Sequence, residues 1–231
     1  MPLHTDTHYE EELQRLQETI LRMGGLSERQ ISRAIHSLVN RDSAEAQLVI
    51  DGDTDVDRLD VDIDELCLRL VALHQPAAGD LRFITTALKT TVDIERIGDQ
   101  AVNICKRVLI LNEEPTLKPY IDIPRMAEAA EQMVHNALDA MVRRDTALAR
   151  QVIEADIFVD QLASQIFREL LAYMVEDPKT ITRAAHVLFI SRHLERIADH
   201  ATNVAEMVIF MVDGKMVRHQ KKNGGSASVL Q

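Results

Sequence analysis

The chain has 231 residues, 46% of them hydrophobic but only 3% aromatic, with eight glycines, six prolines and a net charge of −11. So acidic a balance opposes the counterion release that drives binding to DNA or RNA and disfavours an anionic membrane surface. The shortage of aromatic residues and chain breakers argues for packed helices rather than sheets, and the most apolar segment, 204–212, is too short to span a bilayer.

Apolar residues recurring every three or four positions predict six long helices, at 7–39, 43–73, 80–112, 122–143, 146–175 and 180–213. The first begins in an acidic N-terminus (Asp6, Glu10, Glu11, Glu12) with no secretion-signal pattern, so a cytoplasmic location is expected. Gly24-Gly25 is expected to kink or interrupt it. Asp42, Asp80 and Asp145 are expected as N-caps of the second, third and fifth helices. Cys67 and Cys105 fall inside helical patterns without a CxxC, which predicts two buried, reduced thiols. Between the third and fourth helices, Glu113-Glu-Pro115-Thr-Leu-Lys-Pro119 divides the chain into units 1–116 and 117–219, and the polar segment 220–231 reads as a disordered tail. The fold class is all-α, two three-helix bundles in tandem.

The two units repeat one another. Asp93-Ile-Glu95-Arg96-Ile97-Gly-Asp99-Gln-Ala101-Val-Asn103 returns one hundred residues later as His193-Leu-Glu195-Arg196-Ile197-Ala-Asp199-His-Ala201-Thr-Asn203. Upstream, Asp53-Thr-Asp-Val56-Asp57-Arg-Leu59 returns after 103 residues as Asp156-Ile-Phe-Val159-Asp160-Gln-Leu162. Two motifs in the same order indicate a tandem duplication.

On a helix turning 100° per residue, Ile94, Ile97, Ala101, Ile104 and Val108 form a core stripe, as do Ile197, Ala201, Val204 and Val208. Glu95 with Asp99, Glu195 with Asp199, Asp53 with Asp57 and Asp156 with Asp160 each lie one turn apart on an acidic stripe, which Glu206 extends in the second unit. One such pair is an ordinary solvated face; four at matched places point to a hard cation, because the ion's charge holds negative oxygens together. His193 and His200 flank the second motif where the first has Asp93 and Gln100, so the two sites need not bind alike. Arg96 and Arg196 project about 100° from their Glu neighbours, toward an adjacent helix, a phosphate or a partner. There is no Glu-x-x-His, no His-Glu-x-x-His, no phosphate-binding glycine loop and no activated nucleophile.

The doubled Glu-Arg-Ile-x-Asp-x-Ala-x-Asn motif, its Asp-x-x-Val-Asp-x-Leu partners and the closing Asp213-Gly214-Lys215-x-Val217-Arg218-His219 resemble the PhoU family, from Tyr9 to about His219. The resemblance implies two three-helix bundles related by pseudo-twofold symmetry. It implies multinuclear iron or zinc clusters on Asp53, Asp57, Glu95, Asp99, Asp156, Asp160, Glu195 and Asp199, with magnesium or manganese as alternatives. It further implies a non-enzymatic repressor of the phosphate-starvation response, dimeric and cytoplasmic, bridging the phosphate transporter's ATPase and a sensor histidine kinase, with no nucleic-acid partner and no membrane insertion. The residues alone also admit a metal-dependent enzyme, an iron-storage protein or a purely structural helical module.

Overall fold

The computed structural model describes residues 7–215 and contains the expected all-helical architecture, with one of the six helices divided in two. In chain order the α-helices are α1 (Thr7–Asn40), α2 (Ser43–Asp51), α3 (Thr54–His74), α4 (Ala78–Asn112), α5 (Asp122–Arg143), α6 (Thr146–Glu176) and α7 (Ile181–Asp213), the last preceded by a 3₁₀ turn at Pro178–Thr180. The segment 220–231 and residues 216–219 of the closing motif lie outside the described residues.

The duplication is visible in the backbone. After α1, Arg41 takes a left-handed conformation (φ 56°), the Asp42 amide bonds back to Ser37 O at 2.9 Å and the Asp42 carboxylate accepts from the Glu45 amide. After α5, Arg144 has φ 53°, the Asp145 amide bonds to Ala140 O at 2.9 Å and the carboxylate accepts from the Ala147 and Leu148 amides. Asp42 and Asp145 are thus the N-caps the sequence predicts. Asp80 is not: Ala77 precedes α4, and the Asp80 carboxylate instead accepts from Tyr9 Oη at 3.2 Å.

Two further expectations are corrected. The helix predicted over 43–73 breaks at Gly52-Asp53, where the backbone tightens into a turn with the Gly52 amide on Leu48 O and the Asp55 amide on Gly52 O. The second unit has Ala155 at the place of Gly52, a stronger helix former, and α6 runs on unbroken. Gly24-Gly25 does not interrupt α1. A Cβ on Gly24 would lie 2.3 Å from Leu138 Cδ1, so this glycine lets α1 press against α5.

α1, α2 and α3 pack with α4, and α5 and α6 with α7, while α4 against α7 and α1 against α5 join the halves. One continuous apolar core results. The central helices α4 and α7 carry the broadest buried faces, α4 including Thr90 and Thr91, whose hydroxyls bond back to helix carbonyls of Thr86 and Ala87. Cys67 and Cys105 are buried free thiols, each pushed up to about 12 by burial first. No helix among the described residues is long and apolar enough to cross a membrane.

Candidate functional site

The first carboxylate group forms where α3 meets α4 over the middle of α1. Asp53, placed at the head of α3 by the Gly52 break, accepts from Gln30 Nε2 of α1 at 3.0 Å. Beneath them α4 presents Gly98, where a Cβ would lie 2.9 Å from Gln30 Oε1 and 3.4 Å from Asp53 Oδ1. Gln30 is only 7% exposed; because its amide nitrogen is committed to a carboxylate, its Oε1 is left buried without a partner.

Mutual repulsion shows which acids gather there. Burial raises the Asp53 pKa above the usual carboxylate range, Gln30 opposes the rise, and the charges of Asp57 and Asp99 add to it. Glu95 is raised by burial first, then by Asp99, Asp60 and Asp57, against the pull of Arg96. Asp57 and Asp99 thus lie within electrostatic reach of both Asp53 and Glu95, and Asp60, which the sequence did not single out, within reach of Glu95. Arg96 turns back onto its own helix rather than to a neighbour: its Nη1 is 2.7 Å from Asp99 Oδ2 and its Nε 3.3 Å from Glu95 Oε2.

The second group is leaner. Asp199 on α7 is raised by loss of hydration first, then by Asp156, Glu195 and Asp160, with His200 opposing. All four predicted carboxylates of this unit are again within electrostatic reach. Arg192 holds Glu195 at 2.5 Å. The surroundings differ: Met133 stands at the place of Gln30, Ala198 at that of Gly98, and Ala163 and Phe167 at those of Asp60 and Asp64. The first unit thus carries an acidic, amide-lined site and the second a smaller one beside apolar and basic residues. The contrast Gly98/Ala198 is legible within the motif, whereas Gln30 lies far from it in the chain and is replaced in the repeat.

His193 and His200 each bond through Nδ1 to the other unit. His193 Nδ1 lies 2.9 Å from Gln100 Oε1, and His200 Nδ1 lies 2.8 Å from Asp93 Oδ1, which also accepts from Asn203 Nδ2 at 3.0 Å. Each His contacts the residue that the repeat pairs with the other His. The departures from internal symmetry therefore build a polar seam between α4 and α7. Burial first, then the charges of Arg196 and Arg107, push the His193 pKa down to about 4. Glu206 lies two turns beyond Asp199 and is not among the charges that shift it.

The carboxylate oxygens, an orphaned amide oxygen beside Asp53 and the Gly98 cradle suit a hard cation in donor type. Among the described residues no group of three or more His, Cys, Asp or Glu is arranged to hold a metal ion. Arg96 and Arg192 meanwhile neutralise part of each set.

The PhoU domain family model matches the chain twice, over residues 20–108 and 123–208. A phosphate-specific transport system accessory protein PhoU homolog from Aquifex aeolicus (strain VF5) is 45% identical over 209 residues, covering 90% of this chain and 95% of that one. The crystal structure of PhoU from Pseudomonas aeruginosa superposes with a TM-score of 0.86 at 40% identity, covering 90% of this chain and 100% of that one. The structure of the phosphate transport system regulatory protein PhoU from Streptococcus pneumoniae gives 0.83 at 27% identity, covering 90% and 99%. Two copies of the domain, carrying the duplicated carboxylate motifs on matched helices, place this chain in the PhoU family, whose members are accessory and regulatory proteins rather than enzymes.

Proposed function

We propose that the chain is an accessory protein of a phosphate-specific transport system and a negative regulator of the phosphate-starvation response. It acts as a cytoplasmic, homodimeric adaptor between the transporter ATPase and a sensor histidine kinase. The coarser role is the one its relatives carry by name over nearly their full length. Protein contact as the means of action is supported by an exposed apolar stripe on α6, with Phe167 47%, Leu171 48% and Val175 77% exposed at four-residue intervals.

The cations of this reading, iron or zinc with magnesium or manganese as alternatives, belong at Asp53, Asp57, Glu95 and Asp99 and at Asp156, Asp160, Glu195 and Asp199. The observation that carries them is that Asp53 and Glu95 in the first unit and Asp199 in the second are raised by burial first and then by the charges of neighbouring acids of the same sets. A bound cation supplies charge that offsets this repulsion. The residues themselves orient the donors, α3 to α4 in one unit and α6 to α7 in the other.

The test of the regulatory role is alkaline phosphatase activity in phosphate-replete cells lacking this gene. Activity that is high in the deletion and low after restoration is expected; activity low throughout would overturn the reading.

A further inference from the structure

The second unit has a groove of about 490 Å³ between α4 and α7 that the carboxylate account leaves unexplained. Three guanidiniums give it a cationic wall, and the carboxylates of Glu195 and Asp199 also line it. Arg107 reaches in from α4, its guanidinium 4.7 Å over the exposed ring of Phe189, and Arg192 and Arg196 stand one turn apart on α7. Glu195 pairs with Arg192, while among the described residues neither Arg107 nor Arg196 makes an ion pair. His193 also lines the groove, its pKa lowered by burial first and then by the charges of Arg196 and Arg107.

The repeat supplies an internal control. The first-unit positions equivalent to Phe189, Arg192 and Arg196 are Lys89, Val92 and Arg96, and the position equivalent to Arg107 on the other central helix is Met207. Lys89 lies over Phe210 and Arg96 is taken by Asp99 and Glu95. The cationic wall is therefore not a requirement of the fold, which builds it once and omits it once. The planar fork of an unpaired guanidinium matches the oxygens of a tetrahedral oxyanion.

We propose that this groove is a binding site for inorganic phosphate, held by Arg107, Arg192 and Arg196. The site itself stands on the arginines; the choice of phosphate among oxyanions rests on the regulatory reading above. A chain that binds phosphate here reads phosphate level directly, without a catalytic step.

Isothermal titration of inorganic phosphate into the full-length chain at low salt tests this, beside the R107A/R196A variant and the control R143A, an exposed arginine paired with Asp139 outside both carboxylate groups, with circular dichroism to establish that each is folded. Saturable binding is expected, weakened at least roughly tenfold in R107A/R196A, as loss of charge-assisted hydrogen bonds implies, and unchanged in R143A. No saturable binding, or equal weakening in both variants, overturns the site. Sulfate competing as strongly as phosphate overturns the assignment of phosphate. Failure of the restored gene to repress alkaline phosphatase instead sinks the regulatory reading and leaves the titration untouched.

Discussion

His200 Nδ1 and Asp93 Oδ1 meet at 2.8 Å across the α4–α7 seam, and the internal repeat maps this pair onto His193 and Gln100, which meet at 2.9 Å. A twofold-related seam sets position i of one half against j of the other and j against i, and these two contacts are such a pair. Here the two halves have diverged into complementary partners, acid with imidazole and amide with imidazole. The pairing fixes the register of the central helices and accounts for histidines that look, in the sequence, like additional metal ligands.

Removing Asp93 strands both His200 and Asn203, so Asp93→Ala should cost about 1 to 3 kcal/mol, the usual penalty for leaving half-buried polar partners unsatisfied. A double-mutant cycle of Asp93→Ala with His200→Ala in urea should give a coupling energy on the order of 1 kcal/mol. Additive effects would mean that the contact does not hold the seam.

His193 predicts a pH dependence with a definite sign. Its folded-state pKa is down near 4, below the ordinary histidine value of 6.5, so the unfolded chain takes up a proton first as pH falls. Stability contributed by the neutral ring is present above 6.5 and drains away toward 4, with a slope of at most about 1.4 kcal/mol per pH unit. Urea unfolding at several pH values should show wild type losing more stability than His193→Gln across that window. Parallel curves for the two proteins would contradict the assignment.

Gly24 predicts an overpacking defect. Gly24→Ala puts a methyl group against Leu138 and should cost about 1 to 3 kcal/mol, although alanine is the better helix former. Adding Leu138→Ala should relieve the clash, so that the double variant is more stable than the sum of the two single losses. Stabilisation by Gly24→Ala alone would refute the close approach of α1 and α5.

Arg96 acts as a resident counter-charge for the first carboxylate group. Arg96→Ala should tighten divalent-cation binding at that group severalfold, measured with manganese by electron paramagnetic resonance, and Arg196→Ala should leave it as it is. Weaker binding in Arg96→Ala would show that the arginine supports the site instead of competing for it.

Periodicity and breakers in the sequence carry most of this fold, because helices of this length declare their core stripes: Ile94, Ile97, Ala101, Ile104 and Val108 are all buried on α4 as their spacing requires. The repeat likewise singled out the eight carboxylates as candidates, since a motif kept in both units shows on its face. What stayed hidden depends on contacts distant in the chain. Gln30 joins Asp53 from another helix, Asp93 meets His200 from the other unit, and Gly24 accommodates a leucine of α5. The break at Gly52 was written locally, in a glycine the second unit replaces with Ala155, but apolar periodicity runs through it undisturbed. Arg96 was expected to reach outward, because helical angle separates it from Glu95 by a third of a turn. Its long flexible stem spans that angle.

The measurement that reaches the central claim most directly is metal content by inductively coupled plasma mass spectrometry. The comparison is between the full-length chain and two folded variants, Glu95→Gln/Asp99→Asn and Glu195→Gln/Asp199→Asn. Each variant should lose the metal of one unit and keep that of the other. Metal content unchanged in both, or none in the wild-type chain after loading with iron, zinc or manganese, would contradict the claim that these carboxylates hold cations.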